Sequence, residues 1–259
     1  MNPGSEIDEM RHIKDINDLM GIIAEEPHYT AGIPIGIIAI DLKYPKLPGN
    51  VVNASTYDFP VLYEKVSFEI EELFRGDRKI RDQIVKAAKK LESEGVRAII
   101  GACGFFAHFQ EDVKEAVRVP VYLSSLCQLP SIKVGLRAGQ KVAVVAASGE
   151  SVTEEMLSSV GGSMEDIEVF DVGSMESFGA IRWGRTELDN GKLTEDLMAL
   201  GKKIRDEHPE IGAILLECSD LPPYAWAIQQ ASGLPVFDFI SLIKWVEMSV
   251  AQEPYFGLI

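Results

Sequence analysis

Cysteine is scarce in this chain, three residues in 259. So low and odd a count excludes a disulfide scaffold and fits a compartment where thiols stay reduced. Positive charge is short as well. Lys and Arg number 25 against 40 Asp and Glu, a formal net charge of −15, which argues against a nucleic-acid partner because phosphate neutralisation needs clustered cations. No apolar run approaches the roughly 18 residues that cross a bilayer, and no basic-then-apolar signal segment opens the chain. A soluble, cytoplasmic protein with no membrane partner is the expectation. No G-x-G-x-x-G follows either opening strand, so the dinucleotide fingerprint is missing. Cys103 and His108 could supply only two metal ligands, and no second pair stands at ligand spacing, so no metal is expected. The chemistry should need no cofactor.

What the chain does have, it has twice. Val96-Arg97-Ala98-Ile99-Ile100-Gly101-Ala102-Cys103-Gly104 matches Ile211-Gly212-Ala213-Ile214-Leu215-Leu216-Glu217-Cys218-Ser219 position for position, an apolar run ending in Cys and a small residue. The same spacing carries Val119-Pro120-Val121-Tyr122 onto Leu234-Pro235-Val236-Phe237. Strand, cysteine, helix and next strand repeat together. Continuous β-branched and aliphatic runs read as strands buried on both faces of a parallel sheet, and the helical patterns between them make a βαβ series. Ligands collect at the carboxyl ends of such strands. A thiol there, with a helix starting just after it, should have its pKa lowered by the helix dipole and nearby amides. An isolated Cys would read as a small core hydrophobe, but a pair at matching repeat positions points to function. Cys127 has no counterpart and reads as structural.

Taken in order, residues 1–32 form a polar N-terminal extension with an amphipathic pattern over residues 7–24, and its His12 and His28 read as solvated. The first strand, residues 34–40, delivers Asp41 to the sheet edge. A long loop follows, and loops of that length in compact α/β domains tend to be functional. Lys43, Asn53 and Thr56 are its candidates for lining a pocket, although Asn and Ser in loops also simply make turns. Residues 77–94 carry helical periodicity closed by Gly95. In the second half, Lys141-Val142-Ala143-Val144-Val145-Ala146-Ala147-Ser148 parallels the first strand, and Ser148 then opens a polar loop at a helix start. That is either an anion seat or a capping box formed by Ser151 and Glu154. Arg182 and Arg185 are cations that either reach the substrate or are solvated. Asp220 follows the second Cys and either assists the thiol or caps a helix beginning at Pro222 and Pro223.

Two thiols at equivalent sheet edges suit one task, in which one thiolate takes a proton from one face of a carbon and the other thiol returns a proton to the opposite face. Attack distances on both sides place the sulfurs roughly 7 Å apart, too far for a disulfide.

These residues resemble the aspartate/glutamate racemase superfamily over residue 33 to the C-terminus. That family carries Ala-Cys-Asn-Thr in its first half and Gly-Cys-Thr-His or Gly-Cys-Thr-Glu in its second, where this chain has Ala102-Cys103-Gly104-Phe105 and Glu217-Cys218-Ser219-Asp220. The resemblance implies two pseudo-symmetric α/β domains with parallel sheets and an active site in the cleft between them. It implies catalytic roles for Cys103 and Cys218, with Asp41 and Asp220 assisting. Substrate contacts would come from Gly104, Phe105 and Ser219, added to the candidates Lys43, Asn53, Thr56 and Ser148 read from the residues themselves, and no cofactor would be used. The implied boundaries are residues 33–126 with 240–259 for the first domain and 127–239 for the second, the last helix returning to the first. Gly104 and Phe105 replace the Asn-Thr that binds the substrate carboxylate in amino-acid racemases. The expected activity is cofactor-independent racemisation of a small carboxylate such as aspartate or glutamate. Alternatives are a hydantoin or other carbon acid, a binding protein that kept only the cleft, and a redox dithiol protein. A homo-oligomer is compatible with the sequence.

Overall fold

The computed structural model describes residues 30–253, so the N-terminal amphipathic pattern with His12 and His28 lies outside the described residues. Two four-stranded parallel sheets account for the repeats. The first contains β1 (Ile35–Ile40), β2 (Val61–Val66), β3 (Ala98–Gly101) and β4 (Val121–Tyr122), in the order β2-β1-β3-β4. The second contains β5 (Lys141–Ala146), β6 (Ile167–Asp171), β7 (Ile211–Leu216) and β8 (Val236–Phe237), in the order β6-β5-β7-β8. One strand order thus occurs twice. Each Cys-bearing strand is internal, β3 between β1 and β4, and β7 between β5 and β8.

The apolar strands follow from cover on both faces. Along β1 and β3, Ile38, Ile40 and Ile99 face one apolar cluster while Ile35, Ile37, Ala39, Ala98 and Ile100 face another. Where both faces are dry, alternation with polar residues has no advantage. Nine α-helices occur among the described residues: α1 (Ile70–Phe74), α2 (Arg81–Ser93), α3 (Gln110–Lys114), α4 (Leu129–Val134), α5 (Glu154–Ser158), α6 (Gly179–Trp183), α7 (Asn190–Glu207), α8 (Ala225–Ser232) and α9 (Phe239–Val250). On one face of the first sheet lies α2, through Ile84, Ala88 and Leu91. The opposite face is covered by α9, which packs Phe239, Leu242, Ile243 and Val246 against Ile35, Ile37 and Ile100. An Asp238–Ser241 capping box starts α9, the Trp245 ring meets Tyr122 edge-on at 5.6 Å, and the Arg97 guanidinium donates to the Val250 carbonyl at 3.0 Å. No helix of the described residues is long and apolar enough to cross a membrane.

Local chemistry moves several element ends. Behind Cys103 the chain enters a 3₁₀ turn, Gly104–Phe109, before the short α3. Behind Ser148 it makes another, Gly149–Ser151, and the helix cap is Thr153, whose hydroxyl accepts from the Met156 N–H at 3.2 Å. The Ser151–Glu154 capping box is therefore corrected. Val152 intervenes in extended backbone, leaving Thr153 as the residue positioned to cap.

Because Phe239 is fully buried where α9 meets the first sheet, Phe239→Ala should cost about 3 to 5 kcal/mol of unfolding free energy. Denaturant titration beside Trp245→Ala, whose residue is half exposed, measures it, and equal losses for the two would contradict this packing.

Candidate active site

The carboxyl ends of β3 and β7 face one another, and the first residues beyond them carry the thiols. Cys103 (8% exposed) and Cys218 (5%) are both free thiols and line one cavity of about 750 Å³. The repeat extends to atomic detail, since each sulfur accepts a backbone hydrogen bond from the residue two places on, Phe105 or Asp220. The ends are also tied directly: the Ser219 hydroxyl donates to the Ala102 carbonyl at 2.9 Å, and the Val51 N–H donates to the Ser219 carbonyl at 3.3 Å.

The expected lowering of the thiol pKa does not occur. Burial pushes Cys103 well up, reinforced by the charges of Glu217 and Asp220, and burial with Asp220 and Glu217 does the same to Cys218. A single amide is too weak to offset desolvation and two carboxyl groups. The turn behind Cys103 is 3₁₀ and leads only to the five-residue α3, so little dipole is aimed at the sulfur.

Asp220 is buried and well connected. Its carboxylate accepts from the Tyr44 hydroxyl at 3.0 Å, from the Asn50 side-chain amide, and from the Cys218 thiol at 3.6 Å. Burial raises its pKa, opposed by the Tyr44 hydrogen bond, while burial and the Asp220 charge push Tyr44 well up. Glu217 is fully buried and pushed up to about 8 by desolvation. One of its oxygens accepts the Ala147 N–H at 3.2 Å and the other, Oε1, has no partner. A Cβ on residue 104 would overlap this carboxyl, which explains glycine there.

The loop after β1 supplies one wall, but not through the residues expected. Lys43 is exposed and does not line the cavity, whereas Lys46 does, its ammonium 3.7 Å over the Tyr44 ring and donating to the Leu42 carbonyl at 2.8 Å. Burial lowers the Lys46 pKa. Asn53 and Thr56 are internal braces. Asn53 donates to the Lys46 carbonyl at 3.0 Å and accepts from Ser55, and Thr56 accepts from the Gly49 N–H and donates to the Asn50 carbonyl, both at 2.9 Å. Ser148 pairs with Ser151 at 2.8 Å and Phe105 stacks on Phe74 at 4.4 Å, both off the cavity wall, as is Gly104. Asp41 reaches the rim and is exposed.

The opposite wall comes from the second half. Arg182 lines the cavity, with its guanidinium 4.8 Å over Phe74 and 4.3 Å over Trp183 and Nη2 2.6 Å from Glu71. Its Nη1 is buried without a partner. Arg185 lines a separate hollow with Glu187 and Asp189. Among the described residues one group, Glu168, His208 and Glu210, brings three side chains of metal-ligating type together, and none of them lines the thiol cavity. Sequence reasoning passed over Tyr44, Asn50, Lys46 and Glu217. Glu217 alone left a usable signal, an acid inside a run otherwise as apolar as a buried strand.

Residues 64–244 match the family model Asp/Glu/Hydantoin racemase, and the chain belongs to that family. Among its relatives, a protein named dimethylsulfoniopropionate lyase from Durusdinium sp. clade D is 32% identical over 233 residues, covering 86% of this chain and 77% of the relative. Dimethylsulfoniopropionate lyase 7 of Emiliania huxleyi (strain CCMP1516) is 30% identical over 273 residues, covering 99% of this chain and 78% of the relative. An aspartate racemase homologue from Pyrococcus horikoshii OT3 shares the fold, with a TM-score of 0.54 at 21% identity over 85% of this chain and 99% of that one.

Because burial and carboxyl groups hold protons on both cavity thiols, alkylation of the native protein by iodoacetamide should be slow at neutral pH and keep rising through the alkaline range. Mass spectrometry of Cys103 and Cys218 peptides across pH reads it. Half-maximal reactivity below the ordinary thiol pKa of about 8.5 would contradict the assignment.

Proposed function

We propose that this chain is a cofactor-independent carbon-acid lyase that eliminates dimethyl sulfide from dimethylsulfoniopropionate, with Cys218 as the base. One observation carries the reading: of the two cavity thiols, Cys218 alone has a carboxylate acceptor for its proton, Asp220 at 3.6 Å. Both family chemistries begin by taking a proton from a carbon beside a carboxylate. Racemisation then needs a second acid on the opposite face, whereas elimination needs only a leaving group on the next carbon.

In the proposed step Asp220 takes the Cys218 proton and the thiolate removes the proton α to the substrate carboxylate. The electron pair left on that carbon forms the C=C bond as the C–S bond breaks, and dimethyl sulfide leaves with the bonding pair. Acrylate remains, and the abstracted proton goes to solvent. Burial and the neighbouring carboxyls disfavour thiolate, but a sulfonium cation entering beside the sulfur favours it by charge attraction. Arg182 is the anchor for the substrate carboxylate. Its Nη1 is buried without a partner, and a buried donor gains from an anionic acceptor. Phe74 and Trp183 hold the guanidinium in place.

Racemisation or epimerisation of an amino acid such as aspartate or glutamate, or of a hydantoin, is the second reading. The matched pair of thiols in one cavity favours it. Replacement of the Asn-Thr pair by Gly104 and Phe105 weighs against an amino dicarboxylate.

Headspace detection of dimethyl sulfide, with α-hydrogen exchange in deuterated water over D- and L-aspartate, glutamate and hydantoins, separates the readings. Under elimination, Cys218→Ser abolishes turnover, Cys103→Ser retains part of it, and Asp220→Asn loses about 10² to 10⁴ in rate. Arg182→Gln should raise KM more than it lowers kcat. Dialysis against chelator should leave activity intact. Racemisation lost equally in both Cys variants, with no dimethyl sulfide formed, would overturn the elimination reading.

A further inference from the structure

A proton that Asp220 takes from Cys218 has to leave a residue only 7% exposed before the next turnover. Asp220 lines the thiol cavity, and it also lines a second, much smaller one together with Leu47, Asn50, Ile181, Leu188 and Tyr224. The small cavity has about 10 Å³ open to the centre of a water molecule, close to the room a single water needs. Tyr224 is 3% exposed, and its hydroxyl has no hydrogen-bond partner in the protein. Burying a hydroxyl unsatisfied is costly.

A buried water is held where several polar groups converge, and Tyr224, Asp220 and Asn50 do so here. Asp220 has capacity for another partner. Its Oδ2 accepts from Tyr44 at 3.0 Å, Ser219 at 3.5 Å and Cys218 at 3.6 Å, whereas Oδ1 accepts from the Asn50 amide. Each carboxylate oxygen can take two donors, so Oδ1 has a position to spare. Burial, with the charge of Asp220, pushes the Tyr224 hydroxyl up to about 12, and at neutral pH it therefore remains a donor as well as an acceptor. Leu188 lines both the small cavity and the hollow that holds Arg185, Glu187 and Asp189. That hollow shares no lining residue with the thiol cavity, so this way out stays open while substrate occupies the thiols.

We propose that the small cavity is a water site, with one water hydrogen-bonded to Tyr224 and Asp220, and that this water carries the abstracted proton out on the Leu188 side. The neutral Asp220 carboxyl gives its proton to the water, the water releases a proton to solvent beyond Leu188, and Asp220 returns to carboxylate. Tyr224 is a positioning residue, which holds the water and does not touch substrate. The inference rests on the elimination reading of the same site and adds to it the proton's exit.

A kinetic signature follows from where the proton is stored. Asp220 accepts one proton without help, so a blocked exit leaves the first turnover intact and slows every later one. Damage to the thiol cavity itself would slow the first turnover as well. The ratio of first-turnover to steady-state rate therefore separates loss of the relay from a merely structural change.

Rapid-quench measurement of acrylate formed from dimethylsulfoniopropionate gives both rates. Tyr224→Phe keeps the ring and removes only the hydroxyl. It should form about one acrylate per site at the wild-type rate and then settle about tenfold slower, short of the ~10² expected for losing the base itself. KM should stay as in the wild type, and the slow phase should lengthen further in deuterated water. Should Tyr224→Phe fail to fold, Leu188→Phe, which keeps the hydroxyl and narrows the exit, should raise the same ratio. A crystal structure of the wild type should show a water within about 3.2 Å of both the Tyr224 hydroxyl and the Asp220 carboxylate. No water there, or a first turnover in the variant that falls as far as its steady state, would overturn the proposal. Failure of the elimination reading looks different: no acrylate from a protein that holds the water in place.

Discussion

The hydrogen bond from the Ser219 hydroxyl to the Ala102 carbonyl joins the carboxyl end of β7 to that of β3, and the site depends on this meeting of strand ends. Strands buried on both faces can offer polar chemistry only where they stop. With β1, β3, β5 and β7 all enclosed, the ends are the available places for a thiol or a carboxylate to face a small molecule. Joining two such edges gives a cavity with one thiol from each sheet. The Val51 amide and the Ser125 hydroxyl, bonded to the Ser219 and Leu216 carbonyls, brace the same seam from either side.

Electrostatics gives this seam its character. Asp220 and Glu217 are buried beside two thiols, while the nearest cations, Lys46 and Arg182, are engaged with a carbonyl and with Glu71. Desolvation pushes both thiols and both carboxyls up.

Gly104 and Glu217 illustrate how substitutions across an interface depend on one another. They lie more than a hundred residues apart, yet the carboxyl of one occupies the side-chain space of the other. Read in sequence, Gly104 looks like the loss of a substrate-binding residue. Read in three dimensions, that space has passed to a group of opposite character. The stacking of Arg182 between Phe74 and Trp183 is similar, since α1 and α6 come from different halves and neither sequence neighbourhood announces the pairing.

Much of the architecture was legible in the chain itself. Apolar runs without alternation, repeated with the same downstream strand, determined two parallel sheets of matching order, because burial on both faces leaves a period-free signature. The repeat also determined that Cys103 and Cys218 stand at equivalent strand ends and set Cys127 apart. Which loop residues face the cavity was decided only in the tertiary structure. Lys43 and Lys46, or Asn53 and Asn50, differ in sequence by nothing but position, and their directions are fixed by braces such as Asn53 to the Lys46 carbonyl. The charge state of the thiols was likewise beyond the sequence. A helix start after each Cys argued for a lowered pKa, while desolvation and the convergence of Glu217 and Asp220, which depend on distances across the seam, raise it.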